Sequence, residues 1–190
     1  MWEQEPDINE LRRLHGMLST DPVLALAGLK ELANRGSVMS MVYVANAYQK
    51  GIGTAADQHQ GKQWYRRASE AGSALASYEL GRNFLDDHDY AKAQEMLLVG
   101  VARGYAPSMH VLAMMYVKGR GVPIDLQRAR ELLEPAAAGG HIFAKQNLGR
   151  LLVKGKFGAG LIPRGILLIL SSLKDVLIYA GRIPLDDRFR

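Results

Sequence analysis

Apolar residues recur along this chain at helical spacing. Met41, Val44, Ala45 and Tyr48 fall at i, i+3, i+4 and i+7, and the pattern returns in Leu80, Gly81, Phe84, in Leu112, Ala113, Tyr116, and in Leu148, Gly149, Leu152. That spacing lines one face of an α-helix. Each set holds one small residue (Ala45, Gly81, Ala113 or Gly149), which lets a partner helix come close. Gly36, Gly72, Gly104 and Gly140 follow apolar-periodic runs, where a helix would end in a left-handed turn. Each interval between them holds two helical patterns, so the predicted unit is a helix pair. The second helix starts at a cap. Asp57 and Asp125 stand where a carboxylate accepts the free amides of a first turn, and Asp21-Pro22 has the same form with proline at the first helical position. Recurrence at one register position marks these aspartates as caps rather than catalytic acids.

The chain also nearly repeats itself. Tyr48-Gln49-Lys50-Gly51-Ile52-Gly53 reads like Tyr116-Val117-Lys118-Gly119-Arg120-Gly121, an offset of 68 residues (116 − 48 = 68). The same offset carries Asp57 to Asp125, Ala68 to Ala136 and Gly72 to Gly140. A fixed offset over unlike positions signals stacked structural units. The predicted fold is all-α, a right-handed α-α superhelix (solenoid) of about five helix pairs, forming one helical-repeat domain over 1–190. A degenerate leading unit covers 7–36, full units cover 37–72, 73–104 and 105–140, and a degenerate last unit with an apolar terminal helix covers 141–181. The second full unit is shortened in one loop, with Asp86-Asp87-His88-Asp89 between its helices, and regains register at Ala93, Leu97 and Gly104. Two positions break the pattern. Gly61 weakens the helix after Asp57. Pro135 predicts an end or kink near Glu134 unless packing holds the helix.

The ends are less regular. Ile8, Leu11, Leu14 and Leu18 form the stripe of a leading helix, with Trp2 before it either stapled on or free. Near the C-terminus, residues 161–180 hold a longer, oilier segment. Ile166, Ile169, Leu170, Leu173, Val176, Leu177 and Ala180 form its main stripe, and Leu167 and Leu168 lie off it. Arg164, Lys174 and Asp175 interrupt the run, which is too short to span a bilayer. Packing on the stack is the expected fate of this helix. Burial in a dimer or partner and contact with a membrane surface are the alternatives, and apolar surface left uncovered would mark an interaction site.

Composition narrows the chemistry. Of 190 residues 48% are hydrophobic, enough for one core. Net charge is +5, but the basic residues are scattered, Arg12-Arg13 and Arg66-Arg67 being only pairs. Without aromatic-basic interleaving, no nucleic-acid partner is expected. Cysteine is absent, which excludes disulfides and thiolate metal sites and suits a reducing compartment. The start, Met1-Trp2-Glu3-Gln4-Glu5-Pro6-Asp7, is acidic and has no apolar run, so a cytoplasmic location is expected, with membrane association through the last helix as the variant. No two of His15, His59, His88, His110 and His141 pair at i+3 or i+4, so no metal is expected. The Gly51-x-Gly53 and Gly119-x-Gly121 turns follow no strand and lack a following Lys-Ser/Thr, so they read as inter-helix turns rather than phosphate loops. No Gly-x-Ser-x-Gly elbow occurs. Neither an enzyme nor a cofactor is expected.

These positions together resemble the Sel-one-like repeat (SLR) family, relatives of the tetratricopeptide (TPR) repeats. The resemblance rests on Ala45, Tyr48, Gly51, Gly53, Asp57, Trp64, Tyr65, Ala68 and Gly72, and more fully on Leu112, Ala113, Tyr116, Gly119, Gly121, Val122, Asp125, Ala129, Ala136, Ala137 and Gly140. Ala76, Leu80 and Gly81, and Ala144, Leu148, Gly149 and Gly155, extend it to the other units. It implies a non-catalytic adaptor or scaffold serving bacterial signalling, envelope or exopolysaccharide machinery. A hydrolase of the β-lactamase-like SLR type is the remote alternative, since those relatives rely on disulfides that this chain cannot form. In related solenoids the first helices line the ligand face. Carried onto this register, the partner-binding positions are Val42, Asn46 and Gln49; Tyr78 and Arg82; His110, Met114 and Val117; and Gln146, Arg150 and Val153. This set holds no carboxylate, so the partner would be a protein or peptide segment, with Arg82 and Arg150 pairing to its acidic groups.

Overall fold

The computed structural model describes residues 5–182, with side chains through Ile178. Trp2 lies outside the described residues. Among them are ten α-helices, one short 3₁₀ turn and no strand: α1 (Ile8–Met17), α2 (Pro22–Asn34), α3 (Val38–Lys50), α4 (Gln58–Glu70), α5 (Ala74–Asp86), α6 (Tyr90–Ala102), α7 (Ala106–Lys118), α8 (Leu126–Ala138), α9 (Ile142–Val153) and α10 (Ile162–Arg182). Each helix from α1 to α4 packs on the next in sequence, as does each from α7 to α10. The chain divides into two compact units, up to Gly100 and from Val101 onward.

Capping sets the helix starts. Asp21, Asp57 and Asp125 each accept the amide three residues on, from Leu24, Gln60 and Arg128, at 3.1, 3.0 and 2.9 Å. Asp89 does the same for Lys92 at 3.2 Å. The first helices of the pairs use caps that the periodicity does not single out: Ser37, Ser73 and His141. The repeat offset is visible in the backbone itself. The Asp57 amide donates to the Tyr48 carbonyl at 2.8 Å, and the Asp125 amide to the Tyr116 carbonyl at 3.1 Å. Gly36, Gly72, Gly104 and Gly140 all have positive φ, between 72° and 100°, as helix-ending turns require. In the shortened loop His88 takes this role at φ 60°.

In the first unit, Leu11, Leu14, Leu29 and Leu32 fill one core cluster. Ala45, Tyr65, Leu80 and Ala93 belong to the next. In the second unit, Leu112, Ala113, Leu133, Leu148 and Leu152 are buried. The small residues act as spacers. A Cβ on Gly81 would lie 2.9 Å from Leu97, so α5 and α6 pack at a distance only glycine permits.

Pro135 neither ends the helix nor shortens it. Helix α8 continues to Ala138 and keeps the 13-residue length of its siblings. The proline sits in the last turn, where it removes one amide donor, the one that would reach the Glu131 carbonyl, and the helix end still closes as Gly139 donates to the Pro135 carbonyl at 2.9 Å and His141 to that of Ala136 at 3.0 Å.

The terminal helix packs on α9, but most of its main apolar stripe, Ile169 apart, stays outside that contact. Gly149 and Gly165 sit at the crossing, and a Cβ on Gly165 would come 2.8 Å from the Gly149 carbonyl oxygen and 2.9 Å from the Val153 nitrogen. So close an approach selects the small face of α10. Gly165 and Ser172 are buried, with Leu168 and Ile169 half-buried beside them. Lys145 of α9 pairs with Asp175 of α10 and closes the contact. Ile166, Leu170, Leu173 and Leu177 consequently face outward. No described helix is long and apolar enough to cross a membrane.

Candidate functional site

The site begins with spacing on two helices. Asn46 and Gln49 lie three apart on α3, and Glu79, Arg82 and Asp86 follow one face of α5 at i, i+3 and i+7. In the first unit these faces meet. Asn46, Gln49, Lys50, Glu79, Arg82, Asn83 and Asp86 line a cleft of about 280 Å³.

Three side-chain amides organise it. Gln49 Nε2 donates to Asn83 Oδ1 at 2.5 Å, tying the two helices together. Asn83 Nδ2 donates to the Glu79 carbonyl at 2.8 Å. Asn46 Nδ2 donates to the Val42 carbonyl at 3.1 Å, and Asn46 Oδ1 accepts from the Tyr65 hydroxyl at 3.0 Å. Burial raises the Tyr65 phenol far above its ordinary range, helped by the nearby Glu79 charge, so the hydroxyl keeps its proton and its role as donor. Each amide group carries two donors and two acceptor sites, so the bonds that hold these side chains in place leave capacity for a ligand.

Gly61 acquires a reason here. A Cβ at that position would lie 2.7 Å from Gln49 Cγ and 3.2 Å from the Ala45 carbonyl oxygen. The glycine that weakens α4 makes room for a cleft side chain.

The electrostatics are balanced rather than basic. Burial raises the Glu79 carboxyl, while Arg82 and Lys50 pull it back down. Arg82 Nη1 stands 3.7 Å from Glu79 Oε2, and its guanidinium is 5.7 Å from the Tyr78 ring centre. The cleft thus contains two carboxylates, Glu79 and Asp86, that the carried-over positions omit, together with Lys50 and Asn83.

Of the carried-over set, Asn46, Gln49 and Arg82 share this cleft, and Tyr78 adjoins it through Arg82. Val42 is buried in the core. The remaining six belong to the second unit. Of these, His110 Nε2 accepts from Asn147 Nδ2, a residue outside the carried-over set, at 2.8 Å. The His110 and His141 rings lie 5.1 Å apart, and Phe143 is 6.2 and 6.1 Å from them. His141 Nδ1 accepts the Ala144 amide at 3.2 Å. Burial, with His141 beside it, lowers His110 to about 4, and burial also lowers His141. Both rings are thus neutral acceptors at pH 7. Met114, Val117 and Gln146 are half-buried, while Arg150 and Val153 are exposed. Among the described residues no three His, Asp or Glu side chains group as metal ligands.

Paired helices with recurring caps, spacers and turn glycines define an α-helical repeat protein, a fold that presents surfaces for recognition. The Sel1 repeat model matches residues 38–73 and 106–141, so those two stretches are similar to Sel1 repeats. It is 29% identical over 122 residues to the Sel1-repeat-containing protein YjcO of Escherichia coli, covering 64% of this chain and 52% of that one. It is 27% identical over 129 residues to a sel1-like repeat-containing protein of Acanthamoeba polyphaga mimivirus, covering 68% of this chain and 24% of the relative. The chain therefore spans about half or less of the length of these relatives. The crystal structure of a Sel1 repeat protein from Oxalobacter formigenes superposes with a TM-score of 0.75 at 20% identity, covering 90% of this chain and 76% of that one; at that identity the likeness speaks for the fold alone.

Proposed function

We propose that this protein is a non-catalytic adaptor that holds an extended segment of another protein in the cleft between α3 and α5. The observation that carries this reading is the linked amide set. Gln49 and Asn83, from the first helices of two consecutive units, hold each other, and Asn46 beside them is held by Tyr65 and the Val42 carbonyl. Amides suit an extended main chain because they offer both donors and acceptors to its carbonyls and N–H groups. Lys50 and Arg82 supply cations for an acidic side chain or a terminal carboxylate, while Glu79 and Asp86 keep the cleft from attracting every anion. The partner is accordingly a peptide segment with a local acidic group rather than a strongly acidic tract. We take the site of action to be the cytoplasm, which suits a chain without cysteine. The bacterial relatives make the assembly of a bacterial signalling or envelope complex the first context to examine.

Selection from a peptide library displayed on phage, followed by fluorescence polarisation with the enriched peptides, tests the reading. Gln49→Ala combined with Asn83→Ala should weaken binding about tenfold, the equivalent of one or two lost hydrogen bonds. Absence of any enriched peptide, or equal affinity for the double variant, would remove this cleft as the binding site.

A further inference from the structure

The outward face of α10 is an unpartnered apolar stripe with the spacing of a helix-pairing seam. Ile166, Leu170, Leu173 and Leu177 follow one another at intervals of four, three and four residues, the a/d spacing of a heptad. All four are exposed, Leu170 at 57% and Leu177 at 72%. Leu167, Val176 and Ile178 flank them at 67%, 40% and 45%. The stripe does not belong to the core of its own chain. The Gly149–Gly165 crossing turns the small face of α10 onto α9, and the Lys145–Asp175 pair holds that rotation. Among the described residues of the outward arc the charged one is Lys174, whose long stem lets its head stay in water at the edge of a seam.

We propose that this face pairs with the same face of a second copy of the chain, α10 against α10, across a two-fold axis. An isologous contact needs one self-complementary patch, and a heptad-spaced aliphatic stripe meets that condition, because identical residues can interleave as knobs and holes. The exposed fractions of the seven side chains amount to roughly 600 Å² per copy, so a pair that covered all of them would bury at most about 1,200 Å², which reaches the lower edge of a stable interface. A helix lying on a membrane surface carries a polar face rich in Lys and Arg. Here the opposite face of α10 is occupied by α9, and the exposed basic side chains described on α10 are two, Arg164 and Lys174.

Sedimentation velocity of the full chain over a micromolar concentration series reads the association. The mass should rise from 20.9 kDa to twice that value. Leu170→Glu combined with Leu173→Glu should restore the monomer while leaving the helical circular dichroism spectrum unchanged, since both side chains are solvated in the single chain. The chain has no cysteine, which supplies an independent readout. Among the single variants Ile166→Cys, Leu170→Cys, Leu173→Cys and Leu177→Cys, at least the position nearest the two-fold axis should yield a disulfide-linked dimer under mild oxidation, whereas Val23→Cys, exposed in the first unit, should not. A monomer at every concentration, a dimer that survives both glutamates, or a monomer that floats with vesicles of phosphatidylcholine and phosphatidylglycerol would each overturn the assignment.

Discussion

At the residue scale, two histidines tie stability to pH. His110 accepts from the Asn147 amide and His141 from the Ala144 backbone amide. Both bonds need a neutral ring nitrogen, and burial lowers both pKa values, that of His110 to about 4. The unfolded chain therefore takes up protons first as pH falls below about 6.5. Stability should be full above that value and decline as pH drops toward 4. Glu79 acts with the opposite sign, since its raised pKa favours the protonated folded form, but it does so nearer the carboxylate range. Urea midpoints at pH 7.5 and 5.5 should thus fall on acidification, and His110→Leu should flatten the change. These histidines look unpaired in the sequence because neither has another histidine at i+3 or i+4 on its own helix. His110 and His141 are 31 positions apart (141 − 110 = 31) and meet because α7 and the start of α9 bring their rings together.

At the element scale, periodicity gave helix existence correctly and helix rotation less well. The predicted caps at Asp21, Asp57 and Asp125, the turn glycines and the small spacers all appear where the spacing puts them, because each is a local requirement of one helix end or one crossing. The rotation of α10 follows a different rule. Its most apolar stripe suggests a buried face, yet backbone proximity at Gly149 and Gly165 outranks side-chain hydrophobicity there. Gly165→Ala should therefore cost about 1–3 kcal/mol, because the added Cβ meets backbone rather than a flexible side chain. Leu167→Ser, on the exposed side, should stay within about 0.5 kcal/mol. Chemical denaturation read by circular dichroism, together with hydrogen exchange of α10, separates the two. If Gly165→Ala is silent, the close crossing does not control this helix. The same distinction explains Gly61, whose cost in helix propensity is legible in sequence while its use beneath Gln49 is not.

At the scale of the whole molecule, the repeat specifies the fold, and the proposed cleft is lined by residues that the repeat pattern does not prescribe. Asn46, Gln49 and Arg82 can be located from register alone. Asn83, Glu79 and Asp86 cannot, since nothing in one helix pattern says which neighbours from the next unit will share a cleft. The two arginines carried over as acid-binding groups also separate in the structure, Arg82 lining the cleft in the first unit and Arg150 lying in the second. Arg82→Glu should weaken a cleft-selected peptide about tenfold, the scale of a charge-assisted hydrogen bond, while Arg150→Glu should change it less than twofold. Isothermal titration with each single variant checks this, and equal losses from both would extend the binding surface into the second unit.

The side-chain amide resonances of Asn46, Gln49 and Asn83 report directly on the proposed recognition. Titrating a selected peptide into isotopically labelled protein should shift all three, with backbone changes concentrated on α3 and α5. Unmoved amides at saturating peptide, with shifts confined to α10 or to the second unit, would contradict the account.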